Sequence, residues 1–401
     1  MKKNLNRYLL VYLGILILFS YFFLYFKHQV GNDSTISEWF INYEGGFTKR
    51  GIAGQLAIIQ ARVFEIDLRF SIFLLQCLAC TSYFILIYKL LFNLKTNKFI
   101  YLSIFTPIFI LYPVAEIEVL ARKEILVFSL FLIYLLIPRS KIYKNLSFTI
   151  FLILSILIWE PIIFFFPLIL LFEIIEKKIK KLDFHFFKTL IFFSPSLLIA
   201  FVFIFLPLSE EKWNIMSSVL ENEFGQNCYM ACGLLKSKST IAQQFQANNP
   251  NYSFEVFLRY SLIIIIGFFP LFVLCKNSVL KYKNLLFFKE FKNINNVFCI
   301  GLIPVLLLFA MGYDWGRWVN ITYVILAIIY FYLFKNNLII LNKKKLEENF
   351  VYKFNGKIFV LFFIIYCFGW NPKTVMLGDV ASFPGYRIPV KVINKVFTGE
   401  Y

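Results

Sequence analysis

Long apolar stretches alternate with short polar breaks along the chain, and most of the breaks are rich in lysine. The hydrocarbon core of a bilayer is ~30 Å thick, and about 20 helical residues cross it. The pattern therefore predicts an all-α transmembrane bundle of about 11 spans, with residues 1–401 forming a single transmembrane domain. The predicted spans lie at about residues 8–26, 70–91, 99–114, 124–138, 146–158, 161–175, 189–208, 256–275, 297–313, 319–334 and 357–370.

Composition agrees with this pattern. Hydrophobic residues make up 60% of the chain and mean hydropathy is +0.72, which excludes an ordinary soluble globule. The first apolar stretch has no small-residue cleavage pattern, so we expect it to stay in place as a signal anchor. Lys2, Lys3 and Arg7 precede it and are expected to hold the N-terminus in the cytoplasm.

Counting the spans from a cytoplasmic N-terminus places the C-terminus outside. The longest outer segments are then a first loop at 27–69, a large loop at 209–255 and a tail at 371–401. The cytoplasmic segments then hold 25 of the 41 Lys and Arg residues but 6 of the 23 Asp and Glu residues. Because this is the distribution that the positive-inside rule describes, we attribute the formal charge of +18 to topology. The expected partner is a lipid bilayer, with no nucleic acid.

The two kinds of cation divide differently between the two sides. Seven of the nine Arg residues fall outside, against 9 of the 32 Lys residues. Either cation satisfies the topology rule, but only Arg offers a planar fork that matches phosphate or carboxylate. The outer Arg residues therefore indicate anion binding. The alternative is a bias of the composition toward Lys.

The first outer loop contains Glu44, a Gly45-Gly46 pair and the cations Lys49 and Arg50. Its glycines would let backbone approach a ligand closely. The run 52–64 is predicted to form an interfacial helix whose N-terminal amides favour an anion. The loop is thus a candidate phosphate cradle, or alternatively a polar turn followed by an amphipathic helix.

Glu160 lies between two short predicted spans, 146–158 and 161–175, which should form a hairpin. Thirteen residues reach only about 20 Å at ~1.5 Å per residue, so Glu160 should lie below the outer surface. A carboxylate there is a candidate site residue. The alternative is that Pro161 begins a helix and Glu160 caps it.

Two further outer clusters carry Arg122 and Arg317. Arg122 is four residues after Glu118, and Arg317 is three residues after Asp314. Such spacings place both members of a pair on one helix face, where they can satisfy each other without a ligand. The alternative is that an Arg beside a carboxylate at the membrane edge binds an anion.

Together, the outer clusters predict one external cavity that suits an anionic, membrane-held substrate such as a lipid-linked sugar phosphate. Glycosyl transfer from such a donor needs a carboxylate that deprotonates the acceptor hydroxyl and cations that stabilise the departing phosphate, which Arg supplies without a metal. With only His28 and His185 in the chain, no metal or cofactor is expected. The residues predicted to line the cavity are Glu44, Arg50, Arg122, Glu160, Asp314 and Arg317.

The large outer loop carries Cys228 and Cys232, which are candidates for a disulfide in an oxidising compartment. The other five cysteines lie in or beside apolar spans and are interpreted as small core residues.

The stretch 45–51 (GGFTKRG), the step 122–124 (RKE) and the stretch 314–318 (DWGRW) resemble bacterial O-antigen and capsule repeat-unit polymerases of the Wzy type. The layout, many helices with one large outer loop in the second half, is similar too. The resemblance implies a GT-C-like enzyme of the bacterial inner membrane. Such an enzyme moves a growing glycan from undecaprenyl diphosphate onto the next lipid-linked repeat unit at the periplasmic face.

The resemblance also implies roles for particular residues, in which arginines hold the diphosphate and a carboxylate acts as base. The candidate diphosphate-binding residues are Arg317, Arg122, Arg50 and Lys49, and the candidate catalytic carboxylates are Asp314, Glu44 and Glu160. A flippase and a chain-length regulator are the implied protein partners. One feature departs from the family, whose key arginines often lie in large outer loops: the loop 209–255 contains no Arg.

Two other functions stay open. A GT-C transferase that uses a polyprenyl-phosphate monosaccharide donor would have its catalytic carboxylate in the first outer loop, where Asp33, Glu38 and Glu44 lie. A lipid-linked glycan transporter would line a central path with ionisable residues in mid-span. The nearly uncharged spans disfavour transport.

Overall fold

A computed structural model describes residues 2–29, 34–138, 143–205, 208–236, 241–282, 285–286, 288 and 294–377. These residues are almost entirely helical. The α-helices are α1 (Lys2–Gln29), α2 (Ser34–Trp39), α3 (Gly51–Phe64), α4 (Leu68–Leu91), α5 (Lys98–Phe105), α6 (Tyr112–Ala115), α7 (Ile117–Leu120), α8 (Glu124–Leu136), α9 (Lys144–Ile158), α10 (Phe166–Lys177), α11 (Phe184–Phe205), α12 (Glu210–Phe224), α13 (Ile241–Asn248), α14 (Phe254–Lys276), α15 (Ile294–Gly301), α16 (Leu306–Met311), α17 (Trp315–Lys335), α18 (Lys343–Glu347), α19 (Phe350–Lys353) and α20 (Gly356–Phe368).

Short 3-10 helices and one small sheet complete the described structure. The 3-10 helices are Glu160–Phe165, Gly233–Lys236, Asn249–Asn251 and Ile303–Val305. Strand β1 (Ser278–Leu280) pairs antiparallel with β2 (Ile339–Leu341), with Val279 opposite Ile340. The sheet ties together the segments that follow α14 and α17.

Among the described residues, five helices are long and apolar enough to cross a membrane: α1, α4, α11, α14 and α17. A sixth span results if α15 and the segment Ile303–Met311, which meet at an angle of 41°, are counted together. The prediction of an all-α membrane protein is therefore confirmed at this coarser level. The count of about 11 spans and the GT-C-like arrangement stay predictions, since α8, α9 and α20 are shorter apolar helices.

The predicted span 99–114 is interrupted in the structure. Helix α5 ends at Phe105, and Thr106 is extended, with φ −53° and ψ 140°. The residue before a proline is disfavoured in the α conformation, and Thr106 precedes Pro107. Two of the carbonyls freed by the break, those of Ile108 and Phe109, accept hydrogen bonds of 2.9 and 3.3 Å from the buried Asn320 Nδ2 of α17. This polar contact makes irregular backbone tolerable in an apolar interior.

Helix α17 occupies the centre of the bundle, with every residue from Trp315 to Leu333 buried. It packs against α4, α8 and α14. A helix that is buried on all sides belongs to the core, whereas helices at the edge keep an apolar face for lipid. Helix α1 shows such a face, where Leu18 and Val11 are exposed.

The first and the large loop share a small hydrophobic core of their own, separate from the main one. Trp39, Ala57, Met216 and Cys232 are fully or almost fully buried in it. Glycines let these chain segments meet, since a Cβ on Gly45 would lie 1.9 Å from the carbonyl oxygen of Lys212. The predicted glycine turn thus serves contact between two loops, and the helix predicted at 52–64 is α3.

Helix α3 depends on Gly54 for its position, because a Cβ there would lie 2.0 Å from the carbonyl oxygen of Ile41. We expect Gly54→Ala to lower the free energy of unfolding by about 1–3 kcal/mol through overpacking. Gly14→Ala is the matched control: Gly14 lies within α1, where an added Cβ would have no atom within 4 Å, and alanine there should gain about 0.5–1 kcal/mol. Thermal unfolding in detergent measures both, and equal shifts of the two variants would contradict the packing account.

Candidate functional site

Charged side chains from five separate parts of the chain meet at one end of the bundle. They come from α2, from the residue before α3, from the turn between α7 and α8, from the 3-10 helix Glu160–Phe165 and from the start of α17. We call this group the charged cluster. Its members are Glu38, Arg50, Arg122, Lys123, Glu124, Glu160, Asp314 and Arg317.

Glu38 is the carboxylate to which three guanidinium groups converge. Its Oε1 lies 2.6 Å from Arg122 Nη1, 3.7 Å from Arg50 Nη1 and 3.9 Å from Arg317 Nη2. Burial alone would raise the pKa of Glu38, but the neighbouring guanidinium groups outweigh it and lower the pKa to about 2. Glu38 is therefore ionised and holds the arginines together.

Arg50 links the first loop to Glu160. Its Nε and Nη2 donate to the two carboxylate oxygens of Glu160 at 2.7 and 2.9 Å, and Lys49 Nζ lies 3.7 Å from the same carboxylate. Burial opposes ionisation of Glu160, yet Arg50 and Lys49 hold its pKa below the ordinary value. Arg50 has a left-handed backbone, with φ 61°, which is uncommon for a residue other than glycine. Such conformations occur where surrounding contacts fix them, often at functional sites.

Asp314 and Arg317 form the short-range pair that their spacing permits. Arg317 Nη1 donates to Asp314 Oδ2 at 2.9 Å, and its Nη2 also contacts Glu124. Arg122 Nη2 lies 3.7 Å from Asp314 as well. The alternative pair of Arg122 with Glu118 does not form, because Glu118 accepts a bond of 2.8 Å from Lys27 Nζ of α1.

The turn that carries Arg122 is fixed by two buried side chains. The carbonyl oxygen of Ala121 accepts hydrogen bonds from Trp39 Nε1 at 2.7 Å and from Gln76 Nε2 at 2.9 Å. The bond from Gln76 joins the turn to α4 and the bond from Trp39 joins it to α2. Together they set the direction in which residues 122–124 leave the turn.

Lys123 follows Arg122 and is almost completely buried. Its Nζ donates to the carbonyl oxygen of Arg50 at 2.7 Å and forms no salt bridge to any residue in the described part of the chain. Burial lowers the pKa of Lys123 to about 7, although the carboxylates of Glu38 and Glu160 oppose the decrease.

The charged cluster has a closed side and an open side. The side chains of Arg317 and Glu38 are each 5% exposed, whereas that of Lys49, at the rim, is 38% exposed. Within the described residues, Arg122 Nε, Arg317 Nε and Trp318 Nε1 are buried donors without a hydrogen-bond partner. Buried donors are normally satisfied, so these three need an acceptor. An anion with several oxygens would supply it.

Glu44 lies outside the charged cluster. It accepts bonds of 2.9 Å from Gln55 Nε2 and from Arg62 Nη1, and Arg62 Nε donates to Glu223 of α12 at 2.7 Å. The structure thus brings together five of the six residues expected in one cavity, and it places Glu44 in a separate contact between the first and the large loop.

The predicted cysteine pair and the start of the tail lie at the borders of this region. Cys228 and Cys232 form a disulfide in the large loop, near α2, where Ala231 N donates to Ser37 Oγ at 3.3 Å. The start of the tail runs beside the Asp314 turn, since Gly316 N donates to the carbonyl oxygen of Thr374 at 3.1 Å. Asp33 and most of the tail, including Asp379 and Arg387, lie outside the described residues.

A second group of buried charges lies toward the other end of α8, α10 and α17. Tyr134 Oη donates to Glu173 Oε1 and Tyr332 Oη to Glu176 Oε1, both at 2.5 Å. Lys177 Nζ lies 3.0 Å from Glu173. Unlike the charged cluster, this set has no buried donor without a partner among the described residues, so we attribute it to helix packing.

The sequence named Glu38 only as a possible carboxylate of the alternative transferase, and Lys123 and Glu124 only as part of the stretch 122–124; it assigned none of the three to the predicted cavity. Lys123 and Glu124 follow Arg122, and Glu38 precedes Trp39 at the end of α2. Their contacts within the charged cluster join parts of the chain that are distant in sequence, so no local pattern shows them. No family model matches the chain, and no curated protein or solved structure matches it. The function must therefore be inferred from the chemistry of the charged cluster.

Removing the charge of Glu38 should destabilise the fold. Glu38→Gln leaves three guanidinium groups around a neutral amide, and breaking a buried ion pair costs roughly 3–5 kcal/mol. Glu223→Gln is the matched control, because that carboxylate pairs with Arg62 at an exposed site where such pairs contribute about 0–1 kcal/mol. Denaturant unfolding in micelles compares them. A Glu38→Gln variant as stable as the control would show that the arginines do not need Glu38.

Low pH should weaken the ion pairs between Glu38 and the arginines. Since the pKa of Glu38 is about 2 in the fold and 4.5 is its ordinary value, its contribution to stability is complete above about pH 4.5 and is lost as the pH falls toward 2. Unfolding measured across this range should show a decrease in the wild type that is smaller in Glu38→Gln. Identical pH profiles for the two proteins would contradict the assignment.

Proposed function

We propose that this protein is a glycosyltransferase of the bacterial inner membrane that polymerises undecaprenyl-diphosphate-linked oligosaccharide repeat units at the periplasmic face, in O-antigen or capsule synthesis. The observation that carries the proposal is the convergence of Arg50, Arg122 and Arg317, from three distant segments, on one carboxylate at one end of a membrane bundle.

The arginines are suited to a diphosphate. A guanidinium group presents paired N–H donors to phosphate oxygens, and it remains charged when buried. Arg122 and Arg317 each carry a buried N–H without a partner among the described residues, which a phosphate oxygen can accept. In glycosyl transfer, negative charge develops on the departing diphosphate, and fixed cations around it stabilise the transition state. Arg50 and Lys49 lie nearer the open side, where the substrate would enter.

The proposal gives the acidic residues of the charged cluster a different role from that of the arginines. Asp314 pairs with Arg317 and Glu160 pairs with Arg50, so the proposed role of these carboxylates is to orient the arginine side chains. Glu44 is not assigned a catalytic role, because it lies in the contact with Arg62 and Gln55.

The proposal includes a membrane orientation. The N-terminus is cytoplasmic, the C-terminus is periplasmic, and the charged cluster opens to the periplasm, as expected for about 11 crossings in a GT-C-like bundle. A flippase that delivers the lipid-linked units and a chain-length regulator are the proposed protein partners.

One observation favours a second candidate function. Glu38 belongs to the first outer loop, and it is the carboxylate on which the arginines converge. A transferase that uses a polyprenyl-phosphate monosaccharide donor would have a carboxylate in that loop. The two functions differ in product, since a polymerase makes a ladder of repeat units and this transferase adds one sugar.

Arg317→Ala and Arg122→Ala should each abolish polymer while the protein still inserts in the membrane. Lysine at either position should rescue only part of the polymer, because it lacks the planar fork. Arg62→Ala is the matched control, since Arg62 is an outer Arg that binds Glu44 and Glu223 away from the charged cluster. Gel analysis of surface polysaccharide measures the outcome.

Accumulation of single-repeat glycan in the Arg317 and Arg122 variants supports a polymerase. Unchanged polymer in both variants would reject the assignment of the charged cluster as the active site. A full-length polymer that lacks one side-branch sugar would select the second candidate function.

A further inference from the structure

We propose that Lys123 accepts the proton of the acceptor hydroxyl during the transfer, an inference that rests on the proposed function. Lys123 lies inside the charged cluster, although no pattern in the sequence marks it as a base. Its burial and its hydrogen bond to Arg50 carry the inference.

The carboxylates nearest to Lys123 form ion pairs with arginines instead. Glu38 accepts a hydrogen bond from Arg122, Glu160 accepts hydrogen bonds from Nε and Nη2 of Arg50, and Glu124 contacts Arg317. Lys123 Nζ has a backbone carbonyl as its hydrogen-bond acceptor, 2.7 Å away. A buried ammonium without a carboxylate partner is poorly stabilised and readily gives up its proton.

The charges around Lys123 come from four elements, and their balance supports the same conclusion. Glu38 of α2, Glu160 of the 3-10 helix and Glu124 of α8 favour the ammonium form, whereas Arg50 and burial oppose it. The result is a pKa of about 7, and a base works best when its pKa is near the operating pH. The carboxylates are weaker bases: the pKa of Glu38 is about 2, and that of Glu160 is below its ordinary value.

The hydrogen bond to Arg50 also orients the amine. A neutral lysine amine keeps two N–H groups and one lone pair. When one N–H donates to the carbonyl of Arg50, the lone pair is held in a restricted direction while the second N–H stays available. A group that is fixed in this way needs little reorganisation when the acceptor hydroxyl arrives.

The proposed step balances in atoms and charge. The acceptor O–H bond breaks and its proton moves to Lys123 Nζ, which becomes an ammonium. The acceptor oxygen forms a bond to the anomeric carbon of the donor glycan, and the bond from that carbon to the diphosphate oxygen breaks with its electron pair on the diphosphate. The new positive charge on Lys123 thus arises in the same cluster as the new negative charge on the leaving group.

The experiment uses the whole protein in proteoliposomes with lipid-linked oligosaccharide extracted from cells that lack this protein. Lys123→Ala should reduce the rate of joining by about 10²- to 10⁴-fold, the usual contribution of a general base. Lys123→Arg should be equally inactive, because a guanidinium cannot lose its proton. Both variants should still bind undecaprenyl diphosphate, since the arginines are intact.

Lys98→Arg is the matched control. Lys98 also donates to backbone carbonyls, those of Val351, Tyr352 and Phe354 at 3.3, 3.1 and 2.8 Å, but it lies outside the charged cluster. This variant should join repeat units at the wild-type rate.

Added ethylamine distinguishes a base from a structural contact in Lys123→Ala. A base requires the neutral amine, so the rescued rate should rise with pH in proportion to unprotonated ethylamine. A purely structural ammonium would give rescue that does not rise with pH, and that result would overturn the inference. Full activity of Lys123→Arg would overturn it too. A wild-type protein that joins no repeat units would instead overturn the proposed function, and the inference with it.

Discussion

The ion pairs of Glu38 with three guanidinium groups constrain this whole end of the molecule. A charge taken out of water costs several kcal/mol unless it is paired. Arg50, Arg122 and Arg317 belong to segments that the bundle brings together, and a guanidinium nitrogen of each lies within 3.9 Å of Glu38 Oε1. The positions of α2, of the turn before α8 and of the start of α17 are therefore linked through one side chain.

This constraint explains why the first and the large loop pack against the bundle. Glu38 can face the arginines only if α2 is held against the bundle, and its neighbour Trp39 is bonded to the turn that carries Arg122. The small core shared by the first and the large loop buries Trp39 on its other side. Arg62, which binds both Glu44 and Glu223, joins the same two loops at the surface. Contacts outside the charged cluster thus keep its central carboxylate in place.

The apolar pattern predicted a helical membrane protein, and charge at the ends of the apolar stretches pointed to most of the charged cluster. Arg50, Arg122, Glu160, Asp314 and Arg317 could be found in this way because charge at such a position requires compensation. Which group compensates which could not be predicted: Arg122 has Glu118 four residues away but bonds to Glu38 of another helix. The break at Thr106 had a local signal in Pro107, but the group that satisfies its carbonyls, Asn320 of a distant helix, could not be predicted.

The balance of charges in the cluster has a consequence for ligand binding. Glu38, Glu124, Glu160 and Asp314 together match the charges of the three arginines and of Lys49, which lies 3.7 Å from Glu160, so the charged cluster is close to neutral while Lys123 is a neutral amine. An anion would therefore be bound through directed hydrogen bonds more than through net charge. It must accept from N–H donors that do not already bond to the carboxylates. Arg122 Nε and Arg317 Nε are such donors, buried and without partners among the described residues. A diphosphate that reaches them brings negative charge close to Lys123 and favours the ammonium form that proton transfer creates. Binding of the donor and proton transfer from the acceptor would then be coupled through the same electrostatic field.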